Sequence, residues 1–241
     1  MDSDPEQTGG IFWPELIRGT LVKRYKRFLA DVQLDEKTVV TAHCPNSGSM
    51  KACCEPGSPV YLSYHDNPRR KLKYTWEIID MGTSLVGVNT IIPNRLVKAA
   101  AQAGLIDQLT GYERIDAEVK VSDHSRLDLV LSDPIKGKCF VEIKNCSLVN
   151  QGHAQFPDAV TVRGLKHINE LMTLKKQGHR CMMFYLIQRM DATVFSPADH
   201  IDPAYGKQLR LAVDAGVEIA VFDVVLTTES IFLGNKVPHI L

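Results

Sequence analysis

No apolar run in this chain approaches the roughly 20 residues that a membrane-spanning helix requires, so a membrane-embedded protein is not expected. Excess charge of one sign is also missing. The 28 Lys+Arg balance 28 Asp+Glu, and net charge therefore singles out no class of partner. Aromatic residues make up 7% of the chain, which leaves few rings for stacking on sugars. Cysteines number six in 241 residues, and Cys53 and Cys54 are adjacent, so no small disulfide scaffold is implied. The first residues are acidic and carry no basic stretch followed by an apolar one. A secretory leader is not expected, and reduced thiols in the cytoplasm are the simplest reading. Neither a phosphate-binding G-x-x-x-x-G-K-[ST] loop nor a dinucleotide fingerprint occurs. What remains is an ordinary globular composition, 44% hydrophobic and 23% charged, long enough for one large or two small domains.

Turn signals and periodicity divide the chain. Residues 1–10 are polar and aperiodic and read as a flexible tail. From Leu16 to Gly82 short β-rich runs alternate with Pro, Gly and Asn clusters: TLVKRYKRFLADVQL up to a turn at Asp35-Glu36-Lys37, then Val39–Ala42, Val60–Tyr64 and Tyr74–Ile79. About five such strands suit a small OB-like barrel over residues 11–84, with a small open sheet as the alternative. Beyond it Pro93 opens an alanine-rich helix that stops at Gly104. Strands are expected at Ile115–Val121, Leu127–Leu131 and Cys139–Lys144, and a helix from Ala159 to Lys176. CMMFYLIQ reads as a strand buried on both faces. A helix from Pro203 to Ala215 and a strand at Val217–Leu226 follow. The order α-β-β-β-α-β-α-β makes residues 85–241 an α/β (α+β) domain.

The stretch RLDLVLSDPIKGKCFVEIKN, residues 126–145, concentrates the chemistry. Alternation on a strand puts Glu142 and Lys144 on one face and Val141 and Ile143 on the other. Asp128 lies on the preceding strand. Two carboxylates on neighbouring strands suit a hard divalent cation such as Mg²⁺ or Mn²⁺, which keeps several waters and needs few protein ligands. A bound cation acidifies water and stabilises phosphoryl charge, and a lysine two residues along can orient that water. Asp128 and Glu142 are thus candidate metal ligands, Lys144 a candidate catalytic group, and Glu118 a candidate further ligand or water-holder. The expected chemistry is metal-dependent phosphodiester cleavage.

Two basic features point to a phosphate backbone. Arg163, Lys166, His167 and Glu170 fall at i, i+3, i+4 and i+7 and share one side of their helix, with Asp158 just before it, placed to cap the helix or reach the metal. Residues 16–83 carry 11 Lys+Arg against 7 Asp+Glu. The basic residues cluster at Lys23, Arg24, Lys26 and Arg27 and again at Arg69, Arg70, Lys71 and Lys73, among Tyr25, Phe28, Tyr64, Tyr74 and Trp76. Basic groups interleaved with aromatics fit nucleic-acid binding; the same pattern also describes solvated strand edges over a core. In HCPNSGSMKACC the spacing of His43, Cys44, Cys53 and Cys54 is wrong for a zinc ribbon or finger, and Asn46–Ser49 reads as a tight polar loop.

RGTLVKRYKRFLADV, HCPNSGSM, DNPRRK…TWE, RLDLVL, FVEIKN, FPDAVTVRGLKHINEL and FSPADHIDPAY resemble the sugar fermentation stimulation protein A (SfsA) family over nearly the whole chain. The resemblance implies an N-terminal OB-like barrel joined to a restriction-endonuclease-like α/β domain of the PD-(D/E)xK type. It also implies DNA, single- or double-stranded, bound without strong sequence preference, and a link to regulation of sugar (maltose) metabolism genes. By motif the nuclease acids fall on Asp128 and Glu142 and the lysine on Lys144. The pattern departs in two places: Leu127 stands where the nominal proline would, and the helix NRLVKAAAQAG has no acid where some nucleases of this fold place a glutamate. The rival expectation is a catalytically silent DNA-binding regulator on the same fold. A sugar-binding module is the least supported, since no residue pattern here marks a carbohydrate site.

Overall fold

A computed structural model describes residues 8–122 and 125–241. Residues 1–7 of the expected tail lie outside them; Gly10 does not belong to a tail. It opens β1 (Gly10–Phe12), which pairs antiparallel with β16 (Ser230–Lys236) at the far edge of the C-terminal sheet. Three residues are too few to show a period, and the preceding glycines read as breakers.

The barrel is built from β2 (Leu16–Tyr25), β3 (Leu29–Gln33), β4 (Val39–His43), β5 (Pro59–Tyr64) and β6 (Tyr74–Asp80). β2 is long enough to pair with β5 along its first half and β3 along its second. A parallel pairing of β4 with β6, Ala42↔Tyr74 and His43↔Thr75, closes the five strands. The alternating residues Val60 and Leu62, with Leu21, Val32, Ala42 and Trp76, fill its interior. The closing pair lies at the C-terminal end of β4 and the start of β6. β7 (Leu85–Gly87) adds to β6, so the barrel sheet runs three residues past the expected boundary at 84.

The second sheet has the order β1-β16-β15-β13-β10-β9-β8. β10 (Gly137–Cys146), β13 (Arg180–Ile187) and β15 (Glu218–Leu226) are parallel; β8 (Arg114–Ser122) and β9 (Ser125–Asp133) form an antiparallel pair on one flank. β13 is central, as its unbroken apolar run requires. Met182, Phe184 and Leu186 face the core under α1 (Ile92–Gln102), and Met183, Tyr185 and Ile187 face the core under α2 (Val162–Lys176) and α3 (Pro203–Asp214). Each such side chain contributes about 1.5–3 kcal/mol by leaving water. A small sheet of β11 (Leu148–Asn150), β12 (His153–Phe156) and β14 (Val194–Pro197) lies outside the predicted order, as does β16.

Polar contacts stitch the barrel to the α/β sheet. Gly87 N–H donates to Gln188 O at 2.8 Å. Gln188, fully buried, donates to Asn89 O and to Asn145 Oδ1. Asn46 Nδ2 donates to Val88 O at 3.0 Å. These bonds fix the two units around a common cleft.

Candidate metal and nucleic-acid site

The centre forms where the β9–β10 ladder gives out. Backbone pairing runs to Val141↔Leu129, and the next residues are Glu142 and Asp128. There the Asp128 carboxylate intervenes: Oδ2 accepts the Ile143 N–H at 2.7 Å and Oδ1 accepts from Asn94 Nδ2 at 2.8 Å. Asn94 sits in the first turn of α1, just after Pro93. The helix that carries no acid thus contributes an amide that orients the aspartate. Asn94 also lies 3.3 Å from Glu118 Oε1. Glu118, on β8 between the pairs Ala117↔Leu129 and Val119↔Leu127, has φ +53°. Left-handed backbone costs a non-glycine residue about 1–3 kcal/mol and holds only where its surroundings impose it.

Glu142 is 1% exposed, and Lys144 projects from the same strand face. Glu142 Oε1 accepts from Lys144 Nζ at 2.6 Å and from His167 Nδ1 on α2. Arg163 Nε approaches His167 Nε2 at 3.5 Å, which fits an imidazole carrying its proton on Nδ1. Glu142 Oε2 is buried with no partner. An orphaned carboxylate oxygen costs free energy unless a donor or cation meets it.

Burial, then the charge of Glu142, pushes the Asp128 carboxyl up to about 6, against the pull of the Ile143 N–H, Lys144 and Asn94. Burial acts on Glu142 in the same sense, but the His167 hydrogen bond and the Lys144 charge outweigh it and hold that carboxyl below its ordinary value. Glu142 is the more acidic member of the pair, and the charge of Asp128 is destabilised by facing it. A divalent cation between them relieves both strains. Among the described residues no cluster of three or more His, Cys, Asp or Glu has metal-binding geometry. A cation on Asp128 and Glu142 would therefore complete its shell with water, a backbone oxygen or substrate, as Mg²⁺ commonly does.

The acids open into a cleft of about 460 Å³ walled by both units. From the barrel come Arg27 and the loop Asn46-Ser47-Gly48; from α2 come Arg163 and His167. Arg27 stands at the tip of the β2–β3 hairpin, where Lys26 (φ +49°) and Arg27 (φ +62°) are both left-handed. Arg24 is not available to a phosphate. Its guanidinium donates to the carbonyls of Asn46, Gly48, Ser49 and Arg27 at 2.8–3.4 Å and so shapes the loop and the hairpin. Lys23 sits 3.6 Å from Asp31 and over the Tyr25 ring, and Lys26 is exposed. The α2 stripe divides, because it spans over a quarter of the helix circumference. Its Arg163–His167 side lines the cleft, while Lys166 and Glu170 line a groove on the outer surface of α2. Arg69 and Lys71 are exposed on the β5–β6 loop, and Arg70 turns inward to donate to Thr75 Oγ1 at 2.9 Å, lining another cavity.

Asp158 takes neither expected role. The cap of α2 is Thr161, whose hydroxyl accepts from Gly164 N–H at 3.0 Å. Asp158 Oδ2 instead accepts from Ser49 Oγ at 3.0 Å and Met50 N–H at 3.2 Å, docking the barrel loop. A Cβ at Gly48 would stand 2.7 Å from that oxygen, so only glycine admits the approach. Cys44 and Cys53 are buried in the barrel core, where burial pushes the Cys53 thiol up to about 12. Asn94 and the clasp from His167 to Glu142 escaped the sequence reading. The one signal was the position of Asn94 directly after the helix-opening proline.

Fold and cleft together define a class: a closed five-stranded OB barrel followed by an α/β domain, with a buried acid pair at their junction. Residues 22–88 match the SfsA N-terminal OB domain, and residues 91–230 match the sugar fermentation stimulation protein RE domain. The chain belongs to the SfsA family. It is 53% identical over 223 residues to a sugar fermentation stimulation protein homolog of Geobacter sulfurreducens, covering 92% of this chain and 95% of the relative. It is 52% identical over 228 residues to one of Pelobacter propionicus, covering 95% and 99%. The solved structure of Pyrococcus furiosus SfsA in complex with Ca²⁺ superposes with a TM-score of 0.88 at 24% identity, covering 96% of this chain and 98% of that one.

Proposed function

We propose that the protein binds DNA with little sequence preference and hydrolyses phosphodiester bonds at a divalent-metal centre on Asp128 and Glu142. The observation that carries this reading is the acid pair: two carboxylates from adjoining strands facing one cleft, one raised to about 6 and the other with a bare, buried oxygen. The family relative solved with Ca²⁺ supports a cation as occupant; Mg²⁺ or Mn²⁺ is the proposed working ion. When bound, it supplies an acidified water and charge for the phosphoryl oxygens. Lys144 positions that water, His167 holds Glu142, and Asn94 holds Asp128. Arg163 and Arg27, on opposite walls, grip the phosphates on either side of the scissile bond. The exposed Lys23, Lys26, Arg69, Lys71 and Lys166 add longer-range attraction. No helix of the described residues is long and apolar enough to cross a membrane, and six unpaired thiols fit the reducing cytoplasm. Nothing in the cleft speaks to the regulation of sugar metabolism genes that the family name suggests.

The test is cleavage of single- and double-stranded DNA with Mn²⁺, with and without EDTA, beside a binding assay. Cleavage that requires metal and falls at least 100-fold in Asp128→Ala, with DNA binding retained, is expected. Binding indifferent to EDTA, with no cleavage by the parent protein, favours the catalytically silent regulator.

A further inference from the structure

A second cavity, of about 420 Å³, lies between β1, the mouth of the barrel and the start of α1. It shares its wall with the acid cleft. Pro45 faces the cavity and Asn46 the cleft; Ile91 and Ile92 face the cavity and Thr90 and Pro93 the cleft. Its floor is rigid. The buried Glu77 carboxylate accepts from Ser63 Oγ at 2.7 Å and from Asn89 Nδ2 at 2.8 Å. Since the Ser63 proton goes to Glu77, the contact of His65 Nε2 with Ser63 Oγ at 3.1 Å is an N–H donated by the imidazole. Ser63 is thus an anchored hydroxyl, 1% exposed, and not an activated nucleophile.

Above this floor the cavity carries two guanidiniums against the single carboxylate of Glu77. Arg70 makes one hydrogen bond, to the Thr75 hydroxyl, and no carboxylate pairs with it among the described residues. Arg95, exposed on α1, has no hydrogen bond or ion pair among them. His43 and His65 stand beside Arg70; burial, then that charge, lowers both imidazoles. The opposite wall is apolar. Phe12 is 48% and Ile91 59% exposed, and Trp13 is anchored by its indole N–H on Thr227 O at 3.1 Å. Two guanidiniums without a carboxylate partner call for an anion with several acceptor oxygens, and exposed rings and an aliphatic side chain suit a flat partner.

We propose that this cavity is a nucleotide-binding subsite, taking a phosphate on Arg70 and Arg95 and a base against Phe12, Trp13 and Ile91. The nucleotide comes either free or as a residue flanking the stretch of strand held in the acid cleft. The site is separate from the metal centre and stands whether or not that centre cuts.

Trp13 reports on it, because the other tryptophan, Trp76, is fully buried in the barrel. The full-length protein in EDTA is titrated with dAMP, with a 5′-phosphorylated oligodeoxyadenylate and with inorganic phosphate, following Trp13 fluorescence. Saturable quenching by a nucleotide, weakened at least tenfold in both Arg95→Ala and Arg70→Ala, is expected. Arg95→Ala removes an exposed, unbonded side chain, so an unaltered melting temperature is expected with it. Quenching by dAMP at the affinity of the oligonucleotide identifies a free nucleotide, and quenching by the oligonucleotide alone identifies a flanking residue of the strand. Absence of quenching by either, equal affinity for inorganic phosphate, or affinity untouched by both arginine variants overturns the proposal.

Discussion

Glu142 is the residue on which the centre turns, and its environment specifies a consequence. His167 and Lys144 share one of its oxygens while the other is bare. Removing the imidazole in His167→Ala leaves a buried carboxylate with a single partner and a cavity beside α2. A loss of roughly 1–3 kcal/mol is expected in urea denaturation of the metal-free protein, with less lost in His167→Gln, which keeps a donor. Equal stability of His167→Ala and the parent would show that the clasp carries no energy. Arg24 gives a second case. Arg24→Ala deprives four carbonyls of their donor and should cost roughly 1–3 kcal/mol, whereas Lys26→Ala, at an exposed turn, should stay within about 0.5 kcal/mol. Sequence alone could not separate these two neighbours. Both are basic residues in one hairpin, and only the fold of loop 46–49 onto the hairpin tells the structural arginine from the surface lysine. Asp128, Glu142 and Lys144 were legible, because strand alternation and adjacency suffice to gather them. Asn94 and the contact of His167 with Glu142 were not, since each reaches the acids from another layer of the fold.

The elements that wall the cleft depend on the seam between barrel and sheet. Val86 on β7 bridges to Arg189 just past β13. Arg189, 4% exposed, donates to both oxygens of Asp191 at 2.5 and 2.6 Å and to Ser147 O. Thr83 Oγ1 adds a bond to Asp191 from the barrel side. Burial pushes the Asp191 carboxyl up, but the Arg189 hydrogen bonds and charge prevail and hold it below its ordinary value. A carboxyl depressed by folding stabilises the folded state above its unfolded pKa, near 3.9, and that contribution fades as pH falls through the folded value. Asp191→Asn should therefore lose roughly 1–2 kcal/mol at pH 7, where it weakens the pairing of a buried arginine. The gap should narrow as pH falls below the unfolded value of about 3.9; a gap that does not narrow on acidification would contradict the assignment. The long periodic elements were readable in sequence, from α1 to the two-sided strand β13. The three-residue strands β1, β7 and β11 were not: β1 pairs with a strand more than 200 residues away, and β7 and β11, in hairpins with β6 and β12, are too short to show a period.

For the whole molecule, the cleft belongs to neither unit alone. Arg27 and loop 46–48 come from the barrel, and the acids, Arg163 and His167 from the α/β domain. Phosphate contacts release counterions, so each should appear in the salt dependence of DNA binding. Arg27→Ala and Arg163→Ala are each expected to reduce the slope of log K against log salt by about 1, and a slope unchanged in both would remove the cleft as the phosphate track. The central claim is that Asp128 and Glu142 hold a divalent cation in that cleft. A crystal soaked in Mn²⁺ tests it most directly, through the anomalous signal of the ion. The account predicts one strong peak between the two carboxylates, against Glu142 Oε2, that is lost in Asp128→Asn. A soaked crystal with no peak there, or a peak that survives the substitution, contradicts it.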